Sequence, residues 1–331
     1  MPAFKFTKVN PGDVLTIDYD LSTIGEFAKI KEAILSAGIT GTWSSDYKKF
    51  TVTTISGNST IDLIVNKFGV DIDFSSFSLG STFFLGKYQV GSETPWDIEW
   101  EIVHQESDYQ IAMAKQIIDL RCFDAMESNN SDNNRKTSGN NNWGVSNIEQ
   151  WLNSDQSNWY SAQHSADAPP SSANIWVSNN VAYNPYDTKP GFLYYWTDEE
   201  KSVLKDMTLT LANNTITDGG GSYTWTGKVW LPTYTQMSGN QNNSISECTQ
   251  FSKFTDNNSR IKTIHAMCAA NNQYCIDKSK TEGTAWYYWM SSAYPSDSYS
   301  SRAVYNDGLP DNSYYAYSGS LGVVPCICLP R

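Results

Sequence analysis

Two pairs of side chains in this 331-residue chain stand at spacings that chemistry uses. Glu99 and Glu101 lie two positions apart, which puts both carboxylates on one side of an extended strand, as acid–base work on a glycosidic bond would require. Their neighbours argue for something plainer. Trp96, Ile98, Trp100 and Ile102 alternate with Asp97, Glu99 and Glu101, so the acids form the solvated side of a half-buried strand over residues 96–103. Cys326 and Cys328 also share a strand face, but the surrounding run of residues 321–329 is apolar and reads as core, not as a redox pair. The six cysteines include no CxxC pair, and His104, His164 and His265 are far apart in sequence, so spacing supports no zinc site; buried free thiols are expected, with a disulfide the alternative. Glu199 and Glu200 open a helix, where they suit its dipole. No GxSxG, P-loop or dinucleotide fingerprint occurs. The expectation is a chain that binds and does not catalyse, with no metal and no cofactor.

A binding composition is concentrated near the end. Residues 287–318 hold eight Tyr, eight Ser, three Asp and two Asn in 32 positions. Tyrosine offers large, stiff, amphipathic contact area at low entropic cost, and Ser and Asn add adaptable hydrogen bonds. The bland alternative is ordinary strand packing, which the alternation of Tyr315 and Tyr317 would also produce.

The elements that must position this segment fall into two domains, residues 1–80 and 81–331. The first reads as a small α+β attachment or assembly domain. Residues 4–9 and 14–19 alternate around Asn10-Pro11-Gly12-Asp13 and predict a hairpin. Thr23 and Glu26 resemble a capping box for a helix that Gly38 would end. Residues 49–55 predict a strand, and residues 59–68 a second helix with Ile61, Ile64, Val65 and Phe68 on one side. A Ser/Phe/Gly-rich bridge over residues 73–81 marks the boundary. Beyond it lie eleven of the twelve tryptophans, which assigns the larger aromatic core to the second domain.

In that domain residues 128–142 read as a polar, Asn-rich loop. Ser146 and Glu149 suggest a capping box for a short helix burying Ile148, Trp151 and Leu152. Thr197 and Glu200 suggest another, with Val203, Leu204 and Met207 inward, and residues 228–231 a strand. Pro325 implies an edge or a bulge in the last strand.

The net charge of −12 and the lack of any Lys/Arg cluster exclude the electrostatic footprint of a nucleic-acid binder. No apolar run is long enough to insert in a membrane, and Met1-Pro2-Ala3-Phe4-Lys5-Phe6 is not a signal-peptide start, so synthesis in a cytosol is expected.

The order of landmarks carries a resemblance. Phe84-Leu85-Gly86-Lys87-Tyr88 is followed by Ile98-Glu99-Trp100-Glu101-Ile102, Ile148-Glu149-Gln150-Trp151-Leu152-Asn153, Trp196-Thr197-Asp198-Glu199-Glu200 and Val229-Trp230-Leu231-Pro232. Trp289-Met290-Ser291-Ser292 and Leu321-Gly322-Val323-Val324-Pro325 close the set. Over about 250 residues this resembles the C-type-lectin-like domains of phage and bacterial proteins related to the formylglycine-generating-enzyme fold. The resemblance implies an α+β fold in which the first and last strands of the domain pair, residues 83–88 with 321–329. The Tyr-rich segment is also similar to the variable region of retroelement-diversified proteins, where adenine mutagenesis scatters Asn codons before the closing strand. On that reading the ligand-binding set is Tyr287, Tyr288, Ser291, Tyr294, Ser298, Tyr299, Tyr305, Asn306, Asp307, Asp311, Asn312, Tyr314, Tyr315 and Tyr317. Asn306-Asp307 would offer oxygens to calcium, but the usual lectin triplet has only a loose echo in Leu309-Pro310-Asp311-Asn312.

The resemblance implies a receptor-binding protein of a phage tail fibre or baseplate, assembled in the host cytoplasm and carried on the virion. Its partners would be a bacterial surface protein or glycan on one side and tail components or its own subunits, in a homotrimer by analogy, on the other. A bacterial adhesion protein is the alternative, and an enzyme of the formylglycine-generating type a more distant one.

Overall fold

The computed structural model describes residues 3–6, 14–16, 39–43, 49–55, 61–64, 74–90, 94–176, 184–266, 268 and 282–331. The fold is mixed α+β, mostly sheet, with a few short helices. The chain divides into two compact units, Met1–Ile72 and Asp73–Arg331.

In the smaller unit β1 (Ala3–Phe6) pairs antiparallel with β5 (Ile61–Ile64). Strand β4 (Lys49–Ile55) lies between β2 (Val14–Thr16) and β3 (Ile39–Trp43). Of the hairpin expected from residues 4–9 and 14–19, β1 and β2 are strands that pair with β5 and β4, and residues 7–9 and 17–19 lie outside the described residues. Alternation identifies a strand but not its neighbour. Residues 59–68, expected as a helix, contain β5 instead. Ile61 and Ile64 fit a helical face, yet a short β-branched run is equally at home in a sheet, and pairing with β1 decides. The turn at Asn10 and the helix expected from Thr23 to its Gly38 cap lie outside the described residues.

Among its described residues the larger unit holds two five-stranded sheets and a two-stranded one, β10 (Met207–Ala212) with β11 (Ser222–Gly227). The first has the order β12 (Val229–Trp230), β17 (Cys326–Pro330), β8 (Tyr109–Ala114), β7 (Trp96–Gln105) and β6 (Thr82–Tyr88). In β7, Trp96, Ile98, Trp100 and Ile102 are buried and Glu99 and Glu101 half-buried, as the alternation predicts. The two acids pair with lysines, Glu99 with Lys115 at 2.7 Å and Glu101 with Lys253 at 2.8 Å. The expected pairing of residues 83–88 with the closing strand is not made. Strand β6 is at the far edge, and β17 pairs with β8, Ile327 opposite Ala112. At Gly86, in a β6 bulge, φ is +68° and an added Cβ would stand 2.0 Å from the Trp196 ring, so only glycine fits.

The second sheet has the order β15 (Asn312–Tyr315), β14 (Ser300–Val304), β13 (Tyr288–Ala293), β16 (Leu321–Val323) and β9 (Asp119–Arg121). Pro325 marks the passage of the chain from β16 in this sheet to β17 in the other, so it sits at a crossing and not at an edge or bulge. A proline suits that point because the ladder asks no N–H of it. Trp100, Trp143, Trp151, Trp230 and Trp289 are fully buried. Cys122, Cys326 and Cys328 are buried free thiols and Cys268 is buried; Cys248 is a part-buried free thiol, and Cys275 lies outside the described residues.

Between the strands sit short capped helices. The expected polar loop 128–142 contains α1 (Asn133–Ser138), whose cap Asp132 accepts from Asn134 N and Arg135 N at 3.0 and 2.8 Å. Helix α2 (Asn147–Leu152) buries Ile148, Trp151 and Leu152, and α3 (Asp198–Ser202) has the full Thr197/Glu200 capping box. Leu204 and Met207 are buried behind α3, while Val203 is only half-buried.

The box expected at α2 is only half made. Ser146 accepts from Glu149 N, but the Glu149 carboxylate turns away and accepts from Trp225 Nε1 at 3.0 Å and Asn153 Nδ2 at 3.2 Å. Burial pushes Glu149 from 4.5 up to about 7, with the Trp225 bond opposing. A carboxyl raised on folding favours the fold below its unfolded pKa, and that contribution is lost as pH rises through the folded one. Urea unfolding at pH 5 and pH 8 should show about 2.5 kcal/mol of pH-dependent stability from this group, absent in Glu149→Gln. An unchanged pH dependence in the variant would refute the assignment.

Candidate ligand-binding face

The Tyr-rich segment builds β13, β14, β15 and their connections, ending at the sheet edge formed by β15. Tyr315 lies opposite Ser300 and Tyr314 opposite Ser301. Consecutive residues of a strand leave opposite faces, so the rings divide into two groups. Tyr287, Tyr305 and Tyr314 form the first: Tyr287 meets Tyr305 at 5.2 Å and Tyr314 at 5.6 Å between centroids, with Trp286 at 5.1 Å beside it. Tyr299, Tyr315, Tyr317 and Trp176 form the second, as a chain of contacts at 5.2, 6.0 and 6.0 Å. The two groups meet at the β15 edge, around a cavity of about 250 Å³ lined by Trp176, Ser313, Tyr314, Tyr315 and Ser318.

Three of the expected residues do not belong to this surface. Tyr288 is fully buried and donates its hydroxyl to Arg260 O at 2.7 Å. Ser291 is buried in β13. Ser298 is buried and donates to Asp132 Oδ1 at 2.9 Å. Strand β13 is buried on both faces, so Tyr288 is inside whichever side it takes. Tyr294 is half-buried, with the Arg302 guanidinium 5.4 Å from its ring, and Arg302 also pairs with Asp311 at 3.0 Å. Asn306 and Asp307 are exposed on the turn after β14, where Asp307 accepts from Leu309 N at 3.0 Å. Gly308 in that turn has φ +83° and backs onto Asn257 O, 1.8 Å from where a Cβ would be. Asn312 is half-buried on β15, opposite Ala303.

The scaffold under this edge is stiff, and the Asn-rich segment makes it so. Asn141 Nδ2 reaches Tyr294 O, Asp297 O and Ser300 O at 3.2, 2.9 and 3.0 Å. Arg135 Nε donates to Ser298 O at 3.0 Å, and its guanidinium is held by Asp218 at 2.8 Å. The loop between β13 and β14 is thereby pinned from below. Burial, then the neighbouring Tyr287, pushes the Tyr314 phenol up to about 12, and burial raises Tyr299 and Tyr317 as well. These hydroxyls stay protonated donors at neutral pH.

Sequence reasoning missed Trp176 and Trp286. Trp176 is 44% exposed and reaches the face through its backbone, with Trp176 N donating to Tyr317 O at 2.8 Å and Gly319 N to Trp176 O at 3.0 Å. Its only signal was a lone tryptophan in a Pro/Ser/Ala-rich stretch. A separate contact, Ser252 Oγ to His104 Nδ1 at 2.9 Å with Glu106 3.0 Å from Nε2, has the residue types of a hydrolase triad. Ser252 N also approaches Nδ1, at 3.3 Å, so the imidazole fastens this loop to β7.

Residues 109–331, the stretch containing the whole Tyr-rich edge, match the family described as a domain of unknown function (DUF6273). The chain belongs to the DUF6273 family. No curated protein and no solved structure matches it. The DUF6273 stretch begins at β8, the strand that pairs with closing strand β17. Among the described residues no helix is long and apolar enough to cross a membrane.

Proposed function

We propose that the larger unit is a C-type-lectin-like ligand-binding domain, and that this protein is the receptor-binding part of a phage tail fibre or baseplate. Support for the fold reading comes from the sheet-rich α+β architecture with short capped helices, while the first strand, β6, stands apart from closing strand β17. The Tyr-rich strands precede that closing strand, as in retroelement-diversified proteins of this fold. The smaller unit would attach to the particle or to sister subunits.

One observation carries the binding role: two aromatic groups meet at an outer strand around a cavity of about 250 Å³. That volume falls just below the usual range of about 300–1,000 Å³ for small-molecule sites, so it suits a sugar ring or one protruding side chain. Tyr and Trp faces with protonated hydroxyls fit a bacterial surface glycan or protein. Single contacts would be weak, and many copies on one particle would supply avidity.

The test is retention of the full chain on bacterial envelope fractions. Tyr315→Ala should weaken retention about 10- to 30-fold, as loss of a contact of about 1.5–2 kcal/mol requires. Tyr194→Ala, an equally exposed ring outside the segment, should leave it unchanged. Equal effects of the two would sink the assignment.

A further inference from the structure

Away from the aromatic edge, the structure gathers three metal-ligating side chains that sequence spacing gave no reason to connect. Glu127, His164 and Asp167 place one ligand atom each within 4.8 Å of the others, and this is the one such group among the described residues. We propose that they bind a divalent transition-metal ion of the zinc class. The inference goes beyond the binding role proposed above and does not rest on it.

The first argument is the state of the histidine. His164 Nε2 is buried and makes no hydrogen bond, although Glu127 Oε1 is 2.9 Å away. The two groups are close but out of line, as side chains directed at a common third point are. The second argument is how the carboxylates are held. Glu127 is fully buried and accepts from the amides of Asn130 and Asn140. Asp167 accepts from Gln163 N at 2.7 Å and Asn147 Nδ2 at 3.2 Å. Outer partners that orient each ligand while leaving lone pairs free are characteristic of metal centres.

Charge points the same way. Buried Asp124 lies behind the cluster, accepting from Asn147 N and Asn140 N at 2.9 Å each, so three carboxylates share the region. The nearby fixed cation is Arg135, which is already paired with Asp218. A bound dication would offset the negative charge that these carboxylates otherwise bury together. One imidazole with two carboxylates favours zinc or its first-row neighbours over calcium or magnesium, which take oxygen ligands alone, and three protein ligands leave a position for water. The ion would also tie the 163–167 turn to the segment after β9. That segment already holds the chain leading to Trp176, with Met126 N donating to Asn174 O at 2.8 Å.

The test uses the chelator-stripped full chain titrated with Zn²⁺ by calorimetry, then loaded with Co²⁺ for visible spectroscopy. The expected result is one ion per chain, weakened at least tenfold by His164→Gln and by Glu127→Gln, and about tenfold by the outer variant Asn130→Ala. The Co²⁺ spectrum should show nitrogen and oxygen ligation. Near-ultraviolet dichroism of each stripped variant, matching the stripped parent, would show that folding is intact. Four results would each overturn the proposal: no binding by the parent chain, affinity unchanged in His164→Gln, a thiolate-to-cobalt band, or displacement of Zn²⁺ by equimolar Ca²⁺.

Discussion

A chain carrying Trp176→Ala together with Tyr315→Ala should lose at least about 100-fold in affinity for envelope fractions while its unfolding midpoint in urea barely moves. The two rings are 44% and 50% exposed, so truncating them opens no cavity, and the stability change should stay within about 0.5 kcal/mol. Both line the same 250 Å³ cavity from different parts of the chain. Large, stiff aromatics around a concavity are the usual anchors of an interface, at about 2 kcal/mol each, and two near 1.5 kcal/mol already give two orders of magnitude. Their ring contacts run through Tyr317, so the double variant should fall short of the product of the singles. Affinity held within threefold would remove the cavity from the recognition surface. A large loss of stability would mean that these rings are structural.

Arg121→Met should destabilise the larger unit by about 3–5 kcal/mol, the penalty for leaving a buried charge without its partner. Arg121 is 3% exposed; its Nη2 stands 2.8 Å from Asp119 Oδ2 and donates to the Tyr88 hydroxyl at 2.8 Å. The guanidinium is sandwiched between Trp151 and Tyr186 at 4.5 and 4.6 Å. Burial pulls its pKa down, but Asp119 and Tyr88 more than offset this and keep it charged. Without it, Asp119 keeps Tyr88, Asn184 and the Leu120 N–H as donors. Adding Asp119→Asn should recover at least half of the loss, because the orphaned charge goes with it. Tryptophan fluorescence during urea unfolding reports on this unit, which holds eleven of the twelve tryptophans. A double variant no more stable than Arg121→Met would show that packing of Arg121 between the rings, and not charge pairing, holds this part of the core.

Local pattern was legible where one residue's environment is set by its near neighbours. The alternation of residues 96–103 gave β7 and its buried face, and Thr197 with Glu200 gave a helix start, because strand period and capping are properties of a few consecutive residues. The cap at Ser146 was legible too, while the direction of Glu149 was not, since Trp225 competes for its carboxylate from a distant strand. Residues 61–64 mark the limit of local reading: a pattern that suits both helix and strand is decided by the partner.

The sequence by itself determined that an aromatic-rich, weakly charged segment ends this chain in sheet, and that Tyr, Ser and Asn dominate it. Only the tertiary structure decided which of those residues face outward. Composition does not tell an outer tyrosine from a core one: half-buried Tyr287 stands one position from fully buried Tyr288. It also decided that Trp176 joins Tyr315, that Glu127 meets His164, and that β17 pairs with β8 instead of β6. Such meetings depend on how loops return the chain, and the free energy that selects them comes from burying the whole aromatic core, which no short stretch encodes alone.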